Sequence, residues 1–395
     1  MLPAETKFSE FFLESHELNS CAVAVSGGSD SMALLHVAND WATSERRIVA
    51  LTVDHGLRAD SADEARQVAI WCLAMGIEHH ILTWAGPKPS TGIQAKARCA
   101  RYDLLTNWCS THHVQALLTG HTADDQAETV AMRKLRSSSL KSVAGIWPER
   151  DWNGVQVLRP LLTLHRVQLR DYLRTKHQKW LEDPSNNDLR YERVRIRKTL
   201  AGVTHHFPAE AAAALLQVKA TTQMAEKWFG ANIDIHSTGF LTFPRKSFSV
   251  LAPDLKDDII LRAIQTCGGG KTQLRERFNL RQWLDGTESS RRTLGGAVFV
   301  KRKVDILIGR EPARILHTPL VIPESGRAVW DKRFEISAPA GTEVVPAGCV
   351  ESLTRRRDIP AFIQAGLPVV MAGNCVLAAP HLGIGTDVTS RNVGY

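Results

Sequence analysis

Apolar residues in the first half of the chain come in short solid runs, each followed by a longer stretch with helical spacing. Ala22-Val23-Ala24-Val25 suits a strand buried on both faces, and Ser31 to Ala38 then reads as a helix. Ile48 to Val53 predicts a second strand, ending at Asp54-His55-Gly56. Ser61 to Met75 is amphipathic, with Ala65, Val68, Ala69 and Cys72 at helical spacing. His79 to Trp84 reads as a third strand, Gln94 to Cys109 as a helix with one basic side, and Val114 to Leu118 as a fourth strand before another helix. Alternation of this kind predicts an α/β fold with a parallel sheet and right-handed crossovers. Ligands of such sheets sit at the carboxyl ends of the strands. Ser26 to Ser31, Asp54-His55 and His121 to Asp125 all follow apolar strands, so one edge is expected to gather them.

From about Leu161 the pattern changes. Thr163 to Lys176 reads as a basic helix, Ala209 to Phe229 as a long one, and Leu255 to Cys267 with Thr272 to Asp285 as a further pair. Gly268-Gly269-Gly270 between that pair reads as a flexible linker, because no apolar strand leads into it. Ala297 to Ile308 alternates like a strand. Ile315 to Ile322, Phe334 to Ile336, Glu343 to Pro346 and Val369 to Met371 predict strands of a small mixed α/β domain. The expected organisation is a parallel-sheet domain over 1–205, a mainly helical domain over 206–312 and a mixed domain over 313–395.

Composition is that of an ordinary globular protein, 44% apolar and 23% charged. The net charge of +8 suits a polyanionic partner without requiring one. Seven scattered cysteines include no Cys-x-x-Cys pair, which argues against a zinc ribbon or a redox pair and for a reducing compartment. The amino-terminal residues do not read as a signal peptide, and no apolar run approaches the roughly 20 residues that span a bilayer. The expectation is a cytoplasmic protein with no membrane partner.

The chemistry starts at Ser26-Gly27-Gly28-Ser29-Asp30-Ser31. Glycines let the turn approach a ligand closely, and free N–H groups of the turn and of the next helix form an anion nest suited to pyrophosphate. Asp30 is out of place in a pure anion site, and a carboxylate beside phosphates suggests Mg²⁺ between them. A second cluster, Gly120-His121-Thr122-Ala123-Asp124-Asp125-Gln126-Ala127-Glu128-Thr129, opens the helix after the fourth strand. Thr122 and Asp125 form a variant capping box, which explains Asp125 but not Asp124 and Glu128, four residues apart on one helix face.

The first string resembles the PP-loop of ATP pyrophosphatases. The second is similar to the Gly-His-x-x-Asp-Asp-Gln-x-Glu-Thr segment of tRNA(Ile)-lysidine synthetases. Further similar segments follow in the family's order: Val53-Asp54-His55-Gly56-Leu57-Arg58, Ala97-Arg98-Cys99-Ala100-Arg101-Tyr102, Leu158-Arg159-Pro160-Leu161-Leu162 and Leu181-Glu182-Asp183-Pro184-Ser185-Asn186. The chain departs from the family's pattern at Thr122, at Arg136-Ser137-Ser138-Ser139, where the family has glycines, and at Arg193-Val194-Arg195-Ile196-Arg197.

The resemblance implies an adenine-nucleotide α-hydrolase-like domain followed by accessory domains. It implies ATP and Mg²⁺ as cofactors, with free L-lysine and the CAU-anticodon tRNA(Ile) as partners and a homodimer as one option for assembly. It places the nucleotide on Ser26, Gly27, Gly28, Ser29, Asp30, Ser31, Asp54, His55 and His121, and Mg²⁺ on Asp30 and Asp125. Asp30, Asp124, Glu128, Arg98 and Arg101 become the catalytic candidates: Asp124 and Glu128 steer the lysine amine, and the arginines stabilise charge on the α-phosphate. Arg190, Arg193, Arg195 and Arg197 become tRNA-backbone candidates, joined by Arg291, Arg292, Lys301, Arg302, Lys303 and Arg355-Arg356-Arg357.

Rival readings are a tRNA thiolase, a glutaminase-dependent amidotransferase and a non-catalytic tRNA-binding protein. The thiolases of the two-thiocytidine type carry Cys-x-x-Cys pairs, and the amidotransferases draw ammonia from a glutaminase module; neither feature is seen here. Intact Asp30, Asp124 and Asp125 argue against the third.

Overall fold

The computed structural model describes residues 3–15, 18–56, 60–86, 91–136, 139–182, 190, 192–199, 207–270, 272, 274–286, 290–315, 318–351, 353, 356–385 and 388–392. Leu57-Arg58, Ser137-Ser138, Asp183 to Asn186 and Arg355 lie outside them. The chain divides into two compact units, Met1–Val218 and Lys219–Tyr395.

In the first unit the elements run α1 (Pro3–Ser15), β1 (Ser20–Ala24), α2 (Ser29–Trp41), β2 (Arg47–Asp54), α3 (Ser61–Ala74), β3 (Glu78–Thr83), α4 (Ile93–Thr111), β4 (Ala116–Thr119) and α5 (Ala123–Lys134). They continue with α6 (Leu140–Val143), β5 (Glu149–Trp152), β6 (Val155–Leu158), α7 (Arg166–Thr175) and α8 (Glu192–Thr199), and α9 (Phe207–Asn232) runs across the division at Val218. The sheet order is β3-β2-β1-β4-β6-β5. All neighbours pair in parallel except β5 and β6, an antiparallel hairpin turned by Asn153 and Gly154 at positive φ.

Alternate residues of the strands feed two cores, as the pleat requires. Cys21 and Val23 join Leu34 and Leu35 of α2 and Leu169 and Leu173 of α7 on one face. Ala22, Val49, Leu51 and Leu117 join Tyr102, Leu105 and Cys109 of α4 on the other. The expected parallel sheet is therefore present, and β1 and β4 lie side by side at its centre.

The second unit contains β7 (Asp234–Ile235), β8 (Leu241–Pro244), α10 (Arg245–Ser249), α11 (Pro253–Thr266), α12 (Leu274–Asp285), β9 (Arg291–Leu294), β10 (Ala297–Lys301) and β11 (Asp305–Arg310). After them come β12 (Leu320–Val321), β13 (Arg327–Trp330), β14 (Phe334–Ser337), β15 (Glu343–Pro346), α13 (Ala361–Gln364), β16 (Pro368–Ala372), β17 (Cys375–Ala378) and β18 (Thr389–Asn392). They build a five-stranded, a four-stranded and a three-stranded sheet. The helices expected over 206–312 are accompanied by the five-stranded sheet, and the single strand read over Ala297 to Ile308 is a hairpin, β10 with β11.

Ile306 and Ile308 of β11 pack with α11 and α12, while Leu307 points into a second core with Phe334 and Val369. The triple glycine is no flexible linker. Gly270 donates its N–H to the Gly295 carbonyl at 2.7 Å, and a Cβ on Gly269 would stand 2.7 Å from that same oxygen. Lys301 needs a correction as well: it is 2% exposed and donates to the Trp283 and Gly286 carbonyls, so its charge is used inside the fold.

Candidate active site

The loop between β1 and α2 closes on itself. Ser31 Oγ accepts the Ser26 N–H at 3.1 Å and donates to the Gly28 carbonyl at 3.0 Å. Gly27 has φ 82°, and a Cβ there would lie 2.5 Å from Leu181 Cδ1, while its carbonyl accepts the Leu181 N–H at 2.8 Å. Gly27→Ala therefore combines a left-handed strain of about 1–2 kcal/mol with a clash. It is expected to weaken ATP binding at least about tenfold, checked by nucleotide titration, a factor that corresponds to about 1.4 kcal/mol. Gly28 is the N-cap of α2, which places Ser29, Asp30 and Ser31 in that helix's first turn, where N–H groups lack intrahelical acceptors.

The end of β4 meets this loop closely: a Cβ on Gly120 would come within 2.8 Å of the Asp30 carbonyl. The N-terminus of α5 is capped as the sequence predicts. Thr122 Oγ1 accepts the Asp125 N–H, and Asp125 Oδ2 accepts the Thr122 N–H at 2.9 Å. Only one Asp125 oxygen is used this way; Oδ1 faces Arg193 Nη2 at 2.9 Å and Arg166 Nη2 at 3.4 Å.

Glu128 is buried, and its two oxygens accept from Arg193 Nε and Arg197 Nε, each at 2.6 Å. Asp124 instead caps α7, accepting the Arg166 N–H at 2.7 Å with His165 Nδ1 at 3.5 Å. On α5, the carboxylates that share the Arg193 guanidinium are thus Asp125 and Glu128, three residues apart, rather than Asp124 and Glu128.

Arg166 was not singled out in the sequence, yet its Nε sits 2.9 Å from Asp30 Oδ2 and its side chain reaches Asp125. A signal was available: a cation in the first turn of a helix opposes the helix dipole. Arg98 and Arg101 stand over the Tyr102 ring at 5.1 and 5.4 Å, Arg98 exposed and Arg101 half-buried. Arg159, 4% exposed, donates to the Trp147 carbonyl at 2.7 Å and adds a third cation beside Tyr102. Asp54 Oδ1 accepts the Gly56 N–H and the Ser61 hydroxyl, and His55 meets Trp84 edge-on at 6.0 Å. Arg193 and Arg197, read as tRNA contacts, carry ion pairs with Asp125 and Glu128, whereas Arg190 and Arg195 are exposed.

Burial pushes the Asp30 carboxyl above the usual carboxylate range, with Arg166 pulling against it. Burial acts the same way on Asp125, but Arg193 and Arg166 together outweigh it and hold that group low. His121, whose Nδ1 is 3.0 Å from Thr119 Oγ1, is pushed down to about 3 by burial and by Arg159, Arg98 and Arg101, with Asp125 opposing.

A histidine held low favours the fold above its ordinary value of 6.5 and loses that contribution as pH falls toward 3. Asp30, held high, works in the opposite sense. His121→Gln is expected to flatten the fall of the thermal midpoint over this acid range, as measured by melting across pH.

Asp30 and Asp125 also fit Mg²⁺. Both are hard oxygen donors of the kind Mg²⁺ takes, and one guanidinium lies against both. Among the described residues no group of three or more potential ligands gathers.

A glycine-rich anion nest with an acidic cluster beside it, at the carboxyl edge of a parallel sheet, defines a PP-loop ATP-using enzyme, and a family model described as a PP-loop domain matches residues 2–204. The tRNA(Ile)-lysidine synthase of Ruegeria pomeroyi is 33% identical over 386 residues, spanning 93% of this chain and 90% of that one. That of Rhizobium meliloti is 34% identical over 392 residues, spanning 91% and 81%. The Mesorhizobium japonicum protein of the same name is 45% identical over 216 residues, 51% of this chain and 47% of that one. The chain belongs to the tRNA(Ile)-lysidine synthase family.

Proposed function

We propose that this enzyme joins free L-lysine to C2 of the wobble cytidine in the CAU-anticodon tRNA(Ile), forming lysidine with release of AMP and pyrophosphate. The observation that carries this reading is the linkage of Asp30, in the Ser26–Ser31 loop, through Arg166 to Asp125 and from there through Arg193 to Glu128, so that all three carboxylates are paired with cationic groups. Such a site accepts a polyphosphate on one side and a cation on the other.

The N–H groups of the loop and of the first turn of α2 hold the β- and γ-phosphates, with Asp54, His55 and His121 toward the rest of the nucleotide. Asp30 and Asp125 hold Mg²⁺, which when bound draws charge from the phosphate oxygens. Cytidine O2 attacks the α-phosphorus, and the bond to pyrophosphate breaks. Arg98 and Arg101 face the charge that builds on the α-phosphate. The lysine ε-amine then attacks C2, the C2–O2 bond breaks, and AMP leaves carrying O2. Activation is needed because the amine cannot expel a carbonyl oxygen directly, whereas AMP is a good leaving group.

Lysine is a cation at neutral pH, so its amine must lose a proton before attack. Glu128 meets that cation where Arg193 and Arg197 stand. Asp124 contributes by anchoring α7 beside them. Arg190 and Arg195, exposed on the same stretch, suit the tRNA backbone. The cytoplasm, where tRNA, ATP and free lysine meet, is the setting that this reading gives the enzyme. Among the described residues no helix is long and apolar enough to cross a membrane.

The first step is testable alone. Labelled pyrophosphate is expected to exchange into ATP when the tRNA is present and lysine is absent. Exchange that needs lysine but not tRNA would reverse the order of activation and contradict the reading.

A further inference from the structure

Arg166 occupies a place that a purely structural ion pair does not explain. It is the first residue of α7, where a positive charge meets the positive end of the helix dipole. Its Nε lies 2.9 Å from Asp30 Oδ2 and its Nη2 3.4 Å from Asp125 Oδ1, so one guanidinium bridges carboxylates from the first turns of two helices, α2 and α5. The bridge is enclosed, with the Arg166, Asp30 and Asp125 side chains 21%, 19% and 13% exposed.

The backbone beneath it is held too, because Arg166 N–H donates to Asp124 at 2.7 Å. Arg166 therefore reads three carboxylates at once, with its main chain on one and its side chain on two. Without a counter-ion, Asp30 and Asp125 would repel each other in a half-dry site. The charge balance is informative. Arg193 already serves Asp125 and Glu128, and Arg197 serves Glu128, so among the described residues Arg166 is the cation paired with Asp30.

We infer that Arg166 is a placeholder cation: it holds the Asp30–Asp125 pair ready in the nucleotide-free enzyme, keeps bare metal out, and gives up the pair when the metal arrives with the nucleotide. The inference rests on the reading of Asp30 and Asp125 as the metal's carboxylates. Its physical basis is that a guanidinium and a divalent cation compete for the same oxygens. Phosphate oxygens entering the nest add negative charge, and that addition favours the divalent ion. The displaced guanidinium then faces phosphate oxygens, its natural bidentate partners. Arg166 is in this sense a positioning residue, and its effect is on metal affinity rather than on the reacting atoms.

The test uses the full chain with Mn²⁺ as the probe, no nucleotide, and free Mn²⁺ read by electron paramagnetic resonance. The wild type is expected to bind weakly. Arg166→Gln is expected to bind at least about tenfold more tightly, since a unit charge a few ångströms away has been removed. The double variant Arg166→Gln with Asp30→Asn is expected to lose that gain. Arg166→Gln binding no tighter than wild type overturns the inference, and so does a gain that survives Asp30→Asn.

Should Arg166→Gln fail to fold, the wild type still decides. The Arg166 Nε–H resonance, assigned by its loss in Arg166→Lys, is expected to shift when Mg²⁺ and a non-hydrolysable ATP analogue are added together, and to stay in place with Mg²⁺ alone. A resonance unmoved by the pair overturns the inference. Neither readout uses tRNA, lysine or turnover, so failure of lysine ligation would overturn the proposed function while leaving these measurements to stand or fall separately.

Discussion

Asp30→Asn is expected to lower lysine incorporation into tRNA by at least about 10²-fold, the order found when one group acting on transition-state charge is removed. The amide keeps the shape of the side chain and can still accept from Arg166. It cannot supply the negative oxygen that a hard cation needs. The effect on stability is expected to be small, and this separates chemistry from folding. Burial already pushes the Asp30 carboxyl upward, which means that the fold holds its charge at a cost. Removing that charge leaves the thermal midpoint near the wild-type value or slightly above it. Single-turnover labelling and melting curves on the same preparation check both halves. A variant that unfolds early, or one that ligates at the wild-type rate, would contradict the role given to Asp30.

Glu128→Gln is expected to produce the second large effect, in a different half of the reaction. Glu128 is 2% exposed, and each oxygen accepts from a guanidinium at 2.6 Å. A glutamine would offer one acceptor and turn an NH₂ group toward the other arginine. The loss of stability is expected to be about 1–3 kcal/mol, toward the lower end because Arg193 and Arg197 are 40% and 34% exposed and can turn to water.

The loss of lysine ligation is expected to be about 10²-fold or more, the range for a group that handles a proton in the transition state. It falls on the KM for lysine and on the second step. Exchange of pyrophosphate into ATP with tRNA alone is expected to persist, because the nucleotide loop is untouched. Equal losses in exchange and in ligation would show that Glu128 holds the whole site together rather than meeting the amine.

The parallel sheet and the loop at its edge were legible because both depend on local patterns. Short apolar runs mark β1, β2 and β4, and the Gly-Gly turn with its hydroxyl neighbours marks the nest. The capping box at Thr122 and Asp125 was legible for the same reason, since both partners lie within one turn. The β5–β6 hairpin was not read, although Asn153-Gly154 is a strong hairpin signal. Glu149–Trp152 is an edge strand of mostly polar residues and gives no apolar run.

Roles that depend on distant partners were the hardest to read. Arg166 lies 136 residues from Asp30 and 41 from Asp125, so no spacing rule joins them. Arg193 and Arg197 read as tRNA-backbone contacts, and only the packing of α8 on α5 reveals the buried carboxylate beneath them. Lys301 sat in a basic run, Lys301-Arg302-Lys303, but strand alternation sends it inward to the Trp283 and Gly286 carbonyls. Gly268-Gly269-Gly270 reads as a flexible linker because no apolar strand leads into it. The absence of side chains instead permits close packing against Gly295.

The most direct test of the central claim is transfer of radiolabelled lysine to unmodified tRNA(Ile) with a CAU anticodon, using the purified full chain, ATP and Mg²⁺. Label that appears only with ATP, that maps to the wobble cytidine and that is lost with Asp30→Asn is the predicted result. A tRNA that is bound and consumes ATP to AMP, yet never acquires lysine, would contradict it and point to another nucleophile on the same activated base.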